Sequence, residues 1–301
     1  MPFPVFVVPD DAGDLIEQLG TKQKFWYFDA DRGPCLFKLG RPGTGEDWAE
    51  KVASEVAELL TLPHATYDLA TWRGRHGVSS PTFRPNKGRL VFGNELLVRA
   101  PVAEIEREAG YLRQHHTIPR VFRLLSNPLI ETPLGWTGNT GNLSAPEVFV
   151  GYLMLDALIG NQDRHDENWG LVAMPECLSL QPTFDHASSL GRNETDEHRL
   201  SRLDSRDRMR SVESYCARAK SLLYAKAGEG QRLTTLEAFE ASAHHHAAAA
   251  VHWLLRLEAL DVGAVQHVLD EVPDDWITIP ARRFAHEMVR VNRERLLGIR
   301  L

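Results

Sequence analysis

Cysteine is scarce and scattered: Cys35, Cys177 and Cys216 are the three in 301 residues, and no two of them stand in a Cys-x-x-Cys pair. This excludes a disulfide framework and a cysteine zinc site, and it suits a reducing compartment. Long hydrophobic runs are absent as well. The longest, Val148 to Ile159, is too short to span a bilayer and contains Asp156. Residues 1–9 have neither the basic start nor the long apolar core of a signal peptide, so a cytoplasmic protein without membrane contact is expected. Positive charge is not in excess. A formal net charge of −7 and a pI of about 6.0 argue against a surface that binds nucleic acid directly. Internal repeats and low-complexity linkers are missing. So is a Walker loop: Gly40 to Gly45 is glycine-rich but lacks the Gly-Lys-Ser/Thr ending, and it reads as a connection into a helix. What remains is an ordinary globular composition, 43% hydrophobic and 25% charged, long enough for one large domain or two lobes.

Against that background one string stands out. Residues 161–168 read Asn-Gln-Asp-Arg-His-Asp-Glu-Asn, and a second aspartate with an apolar flank follows in Phe184-Asp185-His186. In kinase-type phosphoryl-transfer sites one Asp accepts the substrate hydroxyl proton, an Asn five positions later holds a metal, and a downstream Asp holds Mg²⁺ against the nucleotide phosphates. Asp163, Asn168 and Asp185 supply those groups in that order. The short loop has a physical reason: a proton acceptor and a metal ligand must reach one side of a single phosphate, because this catalysis is mostly positioning and charge neutralisation. Mg²⁺ takes one or two protein oxygens plus phosphate and water, so no dense acidic cage is needed. Arg164 and His165 sit inside the string, where they are expected to shape the loop by hydrogen bonding rather than to transfer protons.

Periodicity divides the chain. Strands are expected at Lys24–Phe28, Cys35–Leu39 and Thr66–Ala70, with a further candidate at Leu90–Phe92 and a turn at Asp31-Arg32-Gly33. A helix is expected from Asp47 to Leu62, with Asp47 as N-cap, Glu50 three residues on, and Pro63 at its end. Beyond residue 100 helices dominate. Ser144-Ala145-Pro146-Glu147 is a capping box, and the helix after it is apolar all round, so it should be buried and deliver the chain to Asn161. Further helices are expected near 207–226, 234–260, 262–272 and 281–297. His244, His245 and His246 point in three directions on such a helix and should not share a metal. The arginine-rich stretch 199–210 is interleaved with Asp204 and Asp207 and reads as a solvated face.

A small sheet-plus-helix lobe followed by a helical lobe is what a nucleotide cleft between lobes requires. Lys38, on an apolar strand shortly before the helix, is placed to bind the α- and β-phosphates and to pair with a helix carboxylate. Glu50 and Glu55 flank the apolar stripe of that helix on opposite sides, and either can serve. Gly20-Thr21-Lys22-Gln23-Lys24 precedes the first strand and can fold over phosphates through its backbone N–H groups.

On these residues the chain resembles the HipA-like family of bacterial serine/threonine kinases. The resemblance implies an α+β, two-lobed protein-kinase-like fold related to lipid kinases, with residues 1–98 as the nucleotide-binding lobe and 99–301 as the helical lobe. Gly20 to Lys24 are similar to the family's phosphate loop, Lys38 to its ATP-binding lysine and Glu50 to its helix glutamate. Glu95, Leu96 and Leu97 fall where the interlobe hinge contacts nucleotide. Asp163 is similar to the catalytic Asp, and Asn168 and Asp185 to the metal-binding pair. The resemblance further implies ATP and Mg²⁺ as cosubstrates, a protein hydroxyl as acceptor, and a toxin role opposed by a helix-turn-helix antitoxin. Two departures stand beside it. The longer members carry a subdomain ahead of the loop, whereas 19 residues precede Gly20, so a short form is expected; and Glu17-Gln18-Leu19 occupies the place of their regulatory serine. Ser188 and Ser189 are then the serines near the site. A protein kinase, a kinase of a lipid or other small molecule, and a nucleotide-binding pseudokinase that serves as a partner module are the three readings this pattern allows.

Overall fold

The computed structural model describes residues 1–15, 23–99, 115–138, 141–228 and 230–300. Gly20, Thr21 and Lys22 therefore lie outside the described residues. The first part of the chain builds a five-stranded sheet around one helix. Its strands are β1 (Phe6–Val8), β2 (Lys24–Asp29), β3 (Gly33–Leu39), β4 (Asp68–Trp72) and β5 (Arg75–Pro81), in the order β1-β4-β5-β3-β2. β2 and β3 form a hairpin whose turn is closed by Asp29, its Oδ1 accepting from the backbone N–H of Asp31 and Arg32. Such an Asx-type turn is why aspartate is favoured there. Alternation places Phe25, Tyr27, Cys35 and Phe37 in a small aromatic core with Trp72, and turns Lys38 to the other face.

β5 was not foreseen from sequence. Its Gly77-Val78-Ser79-Ser80 core is buried on both faces between β3 and β4, so it shows no alternation. Gly77 is needed where it is: a Cβ there would lie 2.4 Å from the Lys38 carbonyl oxygen.

Helix α1 (Glu46–Leu59) covers β4 and β5. Its start corrects the expected cap. Gly45, in the left-handed region at φ 47°, is the N-cap, and Asp47 lies inside the first turn. The Trp48 ring packs where a Cβ on residue 45 would sit, so a glycine sets the boundary one turn before Glu50. Glu50 is therefore not part of a capping box, and its carboxylate is available to the interior.

The remainder is mostly helical, with a second, four-stranded sheet. β6 (Arg89–Phe92) leads into α2 (Gly93–Arg99), followed by α3 (Ile118–Leu125), β7 (Ile130–Glu131), α4 (Ala145–Ile159), β8 (Gly170–Ala173) and β9 (Leu178–Leu180). The strand order is β6-β8-β9-β7, so the strand expected at 90–92 pairs with the one that follows residues 161–168. Helix α4 begins at the expected capping box, with Ser144 and Glu147 reciprocally bonded, and is buried along its length except at Glu147. Gly160, at φ 65°, ends it and turns the chain into residues 161–168.

Then come α5 (Asp196–Leu203), α6 (Val212–Ala217), α7 (Thr235–His245), α8 (Ala247–Ala259), α9 (Val262–Glu271) and α10 (Ile279–Leu297). Two helices differ from expectation. The one expected at 207–226 shrinks to α6, because residues 221–224 exchange backbone hydrogen bonds with Leu233 and His116 instead. Tertiary pairing overrides local propensity there. The helix expected at 234–260 breaks at His246, where the rings of His245 and His246 lie against Phe122. Among the described residues no helix is long and apolar enough to cross a membrane.

Candidate active site

Lys38 is the centre of the polar contacts between the sheet and the rest. Its Nζ lies 3.2 Å from Asp185 Oδ1, 3.7 Å from Glu50 Oε2 and 3.3 Å from the Tyr67 hydroxyl. Glu55 instead pairs with Lys51 at 2.6 Å, so the geometry selects Glu50 of the two candidates. Burial alone would push the Lys38 ammonium down, but Asp185, Tyr67 and Glu50 outweigh it and hold it well above the usual lysine range. Burial pushes the Tyr67 hydroxyl up, and the carboxylate of Glu50 adds to this, so Tyr67 stays a neutral donor and acceptor. Glu50 is 1% exposed; besides Lys38 its Oε1 accepts from the His186 backbone N–H at 2.6 Å. A buried carboxylate persists only when it is paired and hydrogen-bonded in this way.

Asp185 adopts φ 58°, a left-handed conformation that costs an L-residue roughly 1–2 kcal/mol, least for Asp and Asn. Its backbone N–H donates to Tyr67 at 3.2 Å, which helps hold the strained turn. Phe184, just before it, packs on Phe83 and Phe92, giving an aromatic wall beside the lysine. A narrow crevice between β3, α1 and this loop is lined by Lys38, Glu46, Asp47, Glu50 and Ala187.

The 161–168 loop is held from behind by Arg164. This guanidinium, 0% exposed, makes two bonds of 2.8 Å to Asp156 on α4 and donates to the Asn168 carbonyl and to Thr183 Oγ1, each at 2.8 Å. One side chain thereby ties together α4, the 161–168 loop and the loop that carries Asp185. His186 completes the group, its Nε2 2.7 Å from Thr183 Oγ1. Burial and the nearby Arg164 charge hold His186 well below the usual histidine range, so the ring is neutral. His165 accepts from the Glu167 N–H through Nδ1 and bends the loop locally.

In front of that frame Asp163 and Asp185 reach solvent, whereas Asn168 is buried. Asp163 keeps 46% of its side chain exposed, and Asp185 34%. The Asn168 amide Nδ2 donates to the Asp163 carbonyl at 2.7 Å, which fixes the amide and leaves Oδ1 as its remaining acceptor. Asp163 and the Asp185 loop share one wall: Ser188 Oγ donates to Asp163 Oδ2 at 3.5 Å and the Gln162 N–H to the Ser188 carbonyl at 3.2 Å. The donor set suits Mg²⁺, a hard cation content with one carboxylate and one amide oxygen plus phosphate and water.

Of the expected phosphate loop, Gln23 and Lys24 are described. The Gln23 carbonyl accepts from Leu39 N–H, and Lys24 is the register partner of Lys38, so the loop re-enters beside the lysine. The expected hinge is helical: Glu95 pairs with Arg89 at 2.8 Å, and the Leu97 carbonyl accepts from Arg120 at 2.7 Å. Leu96 packs against the main core. Sequence reading missed Tyr67, Phe83, Glu46 and Arg192. Tyr67 lay inside an expected strand and Arg192 in an unremarked loop, so neither carried a local signal.

No protein-family model and no curated protein sequence matches the chain. Among solved structures it is similar to the proinflammatory kinase CtkA of Helicobacter pylori, with a TM-score of 0.71 and 18% identity over 98% of this chain and 96% of that one. It is also similar to HipA of Shewanella oneidensis, solved with HipB and operator DNA, with a TM-score of 0.59 and 11% identity over 95% of this chain and 68% of that one. At these identities the likeness is one of architecture: the chain has the kinase-like α+β fold of CtkA and HipA, a curled sheet set against a helical part.

Proposed function

We propose that this chain is an ATP-dependent protein kinase that transfers the γ-phosphoryl group of Mg·ATP to a serine or threonine hydroxyl. The observation that carries the reading is the convergence of Lys38, Glu50 and Asp185 within 3.7 Å, on a loop bound directly to Asp163. Lys38 binds the α- and β-phosphates, and Glu50 holds its ammonium in place and charged. Asp163 accepts the proton of the attacking hydroxyl, and its half-exposed carboxylate leaves room for an acceptor to approach. Asn168 Oδ1 and the Asp185 carboxylate would hold Mg²⁺, which when bound neutralises phosphate charge. Gly20 to Lys24 cover the phosphates, and Glu95 to Leu97, on α2 just after β6, grip the nucleotide base. Arg164 carries no proton in this scheme; it keeps the two loops at fixed separation.

The HipA neighbour was solved with HipB and operator DNA. A protein partner of antitoxin type for this chain is the corresponding proposal, and co-purification from a cell expressing the tagged chain tests it. For the activity, incubation of the purified chain with labelled Mg·ATP and host lysate, followed by phosphopeptide mass spectrometry, should give phosphoserine or phosphothreonine peptides that disappear with Asp163→Asn. Label found only in lipid or small molecules would replace the protein acceptor. ATP binding without any turnover would leave a pseudokinase.

A further inference from the structure

Two acidic residues on α1 lie one helical turn apart and both are buried, Glu46 at 4% and Glu50 at 1% exposure. Glu50 serves Lys38. Glu46 meets Arg192, whose Nη1 lies 2.9 Å from Glu46 Oε1; Arg192 comes from the loop beyond Asp185 and is itself only 9% exposed. Arg41 also approaches Glu46, at 3.6 Å. The other terminal nitrogen of Arg192, Nη2, donates to Ser188 Oγ at 3.2 Å, and Ser188 Oγ donates to Asp163 Oδ2 at 3.5 Å. The direction of this relay is forced. A guanidinium has no acceptor, so Ser188 must accept from Arg192, and its single proton is left for the Asp163 carboxylate.

We infer that Ser188 and Arg192 are positioning residues for Asp163, and that Glu46 makes their hold depend on how α1 is seated. The inference rests on the reading of Asp163 as the base. A half-exposed carboxylate can turn about its side-chain torsions; a hydroxyl bound to Oδ2 selects one orientation, with His165 Nε2 4.0 Å from Oδ1. Misplacing a reacting group by about 1 Å costs on the order of a hundredfold in rate. One helix then sets both halves of the reaction: Glu50 governs the phosphate-binding lysine, and Glu46, through Arg192 and Ser188, governs the base. A shift of α1 would disable both together.

The test uses the full chain with Mg·ATP and dephosphorylated casein, following ADP release, which reports transfer to casein, to the chain itself or to water. Ser188→Ala should lower kcat by about tenfold to a hundredfold while KM for ATP stays within about twofold. Ser188→Thr, which keeps the hydroxyl, should recover to within about threefold of wild type. Arg192→Met should fall in the same direction, and the Ser188→Ala/Arg192→Met double variant should be no slower than the slower single, because both act through one hydroxyl. Retained thermal stabilisation of Ser188→Ala by Mg·ATP shows that the variant is folded and binds nucleotide. A kcat within twofold of wild type for Ser188→Ala overturns the inference, as does a threonine variant as slow as the alanine one, or a kcat loss matched by equal loss of ATP affinity. A wild-type chain that releases no ADP overturns the reading of the site itself, and this inference with it.

Discussion

The back and the front of the 161–168 loop are built from the same kinds of residue and behave oppositely. Behind it, Arg164, Asp156, Asn161 and Thr183 are all buried, and they are bonded to one another and to loop backbone at 2.8 Å. In front, Asp163 and Asp185 are partly open to solvent, and Lys38 reaches Asp185 across the gap between sheet and loop. Adjacent residues, Asp163 and Arg164, thus fall on different sides of the distinction. Polar groups bonded on all sides in the interior hold shape, and those that reach solvent are accessible to a substrate. A buried charge with satisfied partners is tolerated; a lone one is not.

The largest expected effect falls on the front. Asp163→Asn should reduce phosphoryl transfer by about 10²–10⁴-fold, the range for loss of a general base, while changing unfolding free energy by less than about 1 kcal/mol. Turnover measured beside denaturant unfolding checks it, and unchanged turnover would remove Asp163 from the chemistry. On the back, Arg164→Met should cost about 3–5 kcal/mol, because Asp156 is left charged and buried without its partner. If the midpoint of urea unfolding does not move, the contrast between frame and site collapses.

A smaller change is expected for Asp185→Asn. Asn tolerates the left-handed backbone as well as Asp does, so stability should hold. Mg²⁺-dependent stabilisation by ATP should fall by roughly 1–2 kcal/mol, the weight of one charge-assisted contact. Thermal shift with and without Mg²⁺ is the measurement; the same shift as wild type would exclude Asp185 as a metal ligand.

The last effect concerns pH. His116 donates to Leu222 O through Nδ1 and accepts from Trp169 through Nε2, and burial pushes it down to about 3; His186 is lowered as well. Both are neutral when folded, whereas the unfolded chain takes up a proton on each below about pH 6.5. Their contribution is therefore complete above that value. It is lost as pH falls toward the folded pKa, at about 1.4 kcal/mol per pH unit for each ring. His116→Gln should flatten the slope between about pH 6.5 and 4; an unchanged slope would mean that His116 is not held neutral.

Much of the site was legible because its parts are contiguous. Asp163, Arg164 and Asn168 lie on one short loop, so their spacing reports their geometry directly. The loop-shaping role expected of Arg164 is visible as its bonds to the Asn168 carbonyl and Thr183. The capping box at Ser144 and the apolar run after it likewise carry their structure in local chemistry. Other features had no local mark. β5 was not foreseen, because both its faces are covered and its sequence shows no alternation. Residues 221–224 look helical, yet their hydrogen bonds go to Leu233 and His116. Tyr67 and Arg192 also take their place from residues more than a hundred positions away, Asp185 and Glu46.

What the order of amino acids determined alone was whatever neighbours decide: the hairpin at Asp29, the buried helix from Ala145, and the 161–168 loop at its end. These rest on capping, alternation and glycine, which act within a few residues. What only the folded molecule decided was pairing across the cleft. Glu50 and Glu55 flank the same stripe, and the choice between them followed from where β3 lies against α1 and from Lys51 engaging Glu55. The route from Glu46 to Asp163 is of the same kind. Such contacts join segments whose separation along the chain holds no information about their separation in space, so packing of the sheet against the helical part had to bring them together.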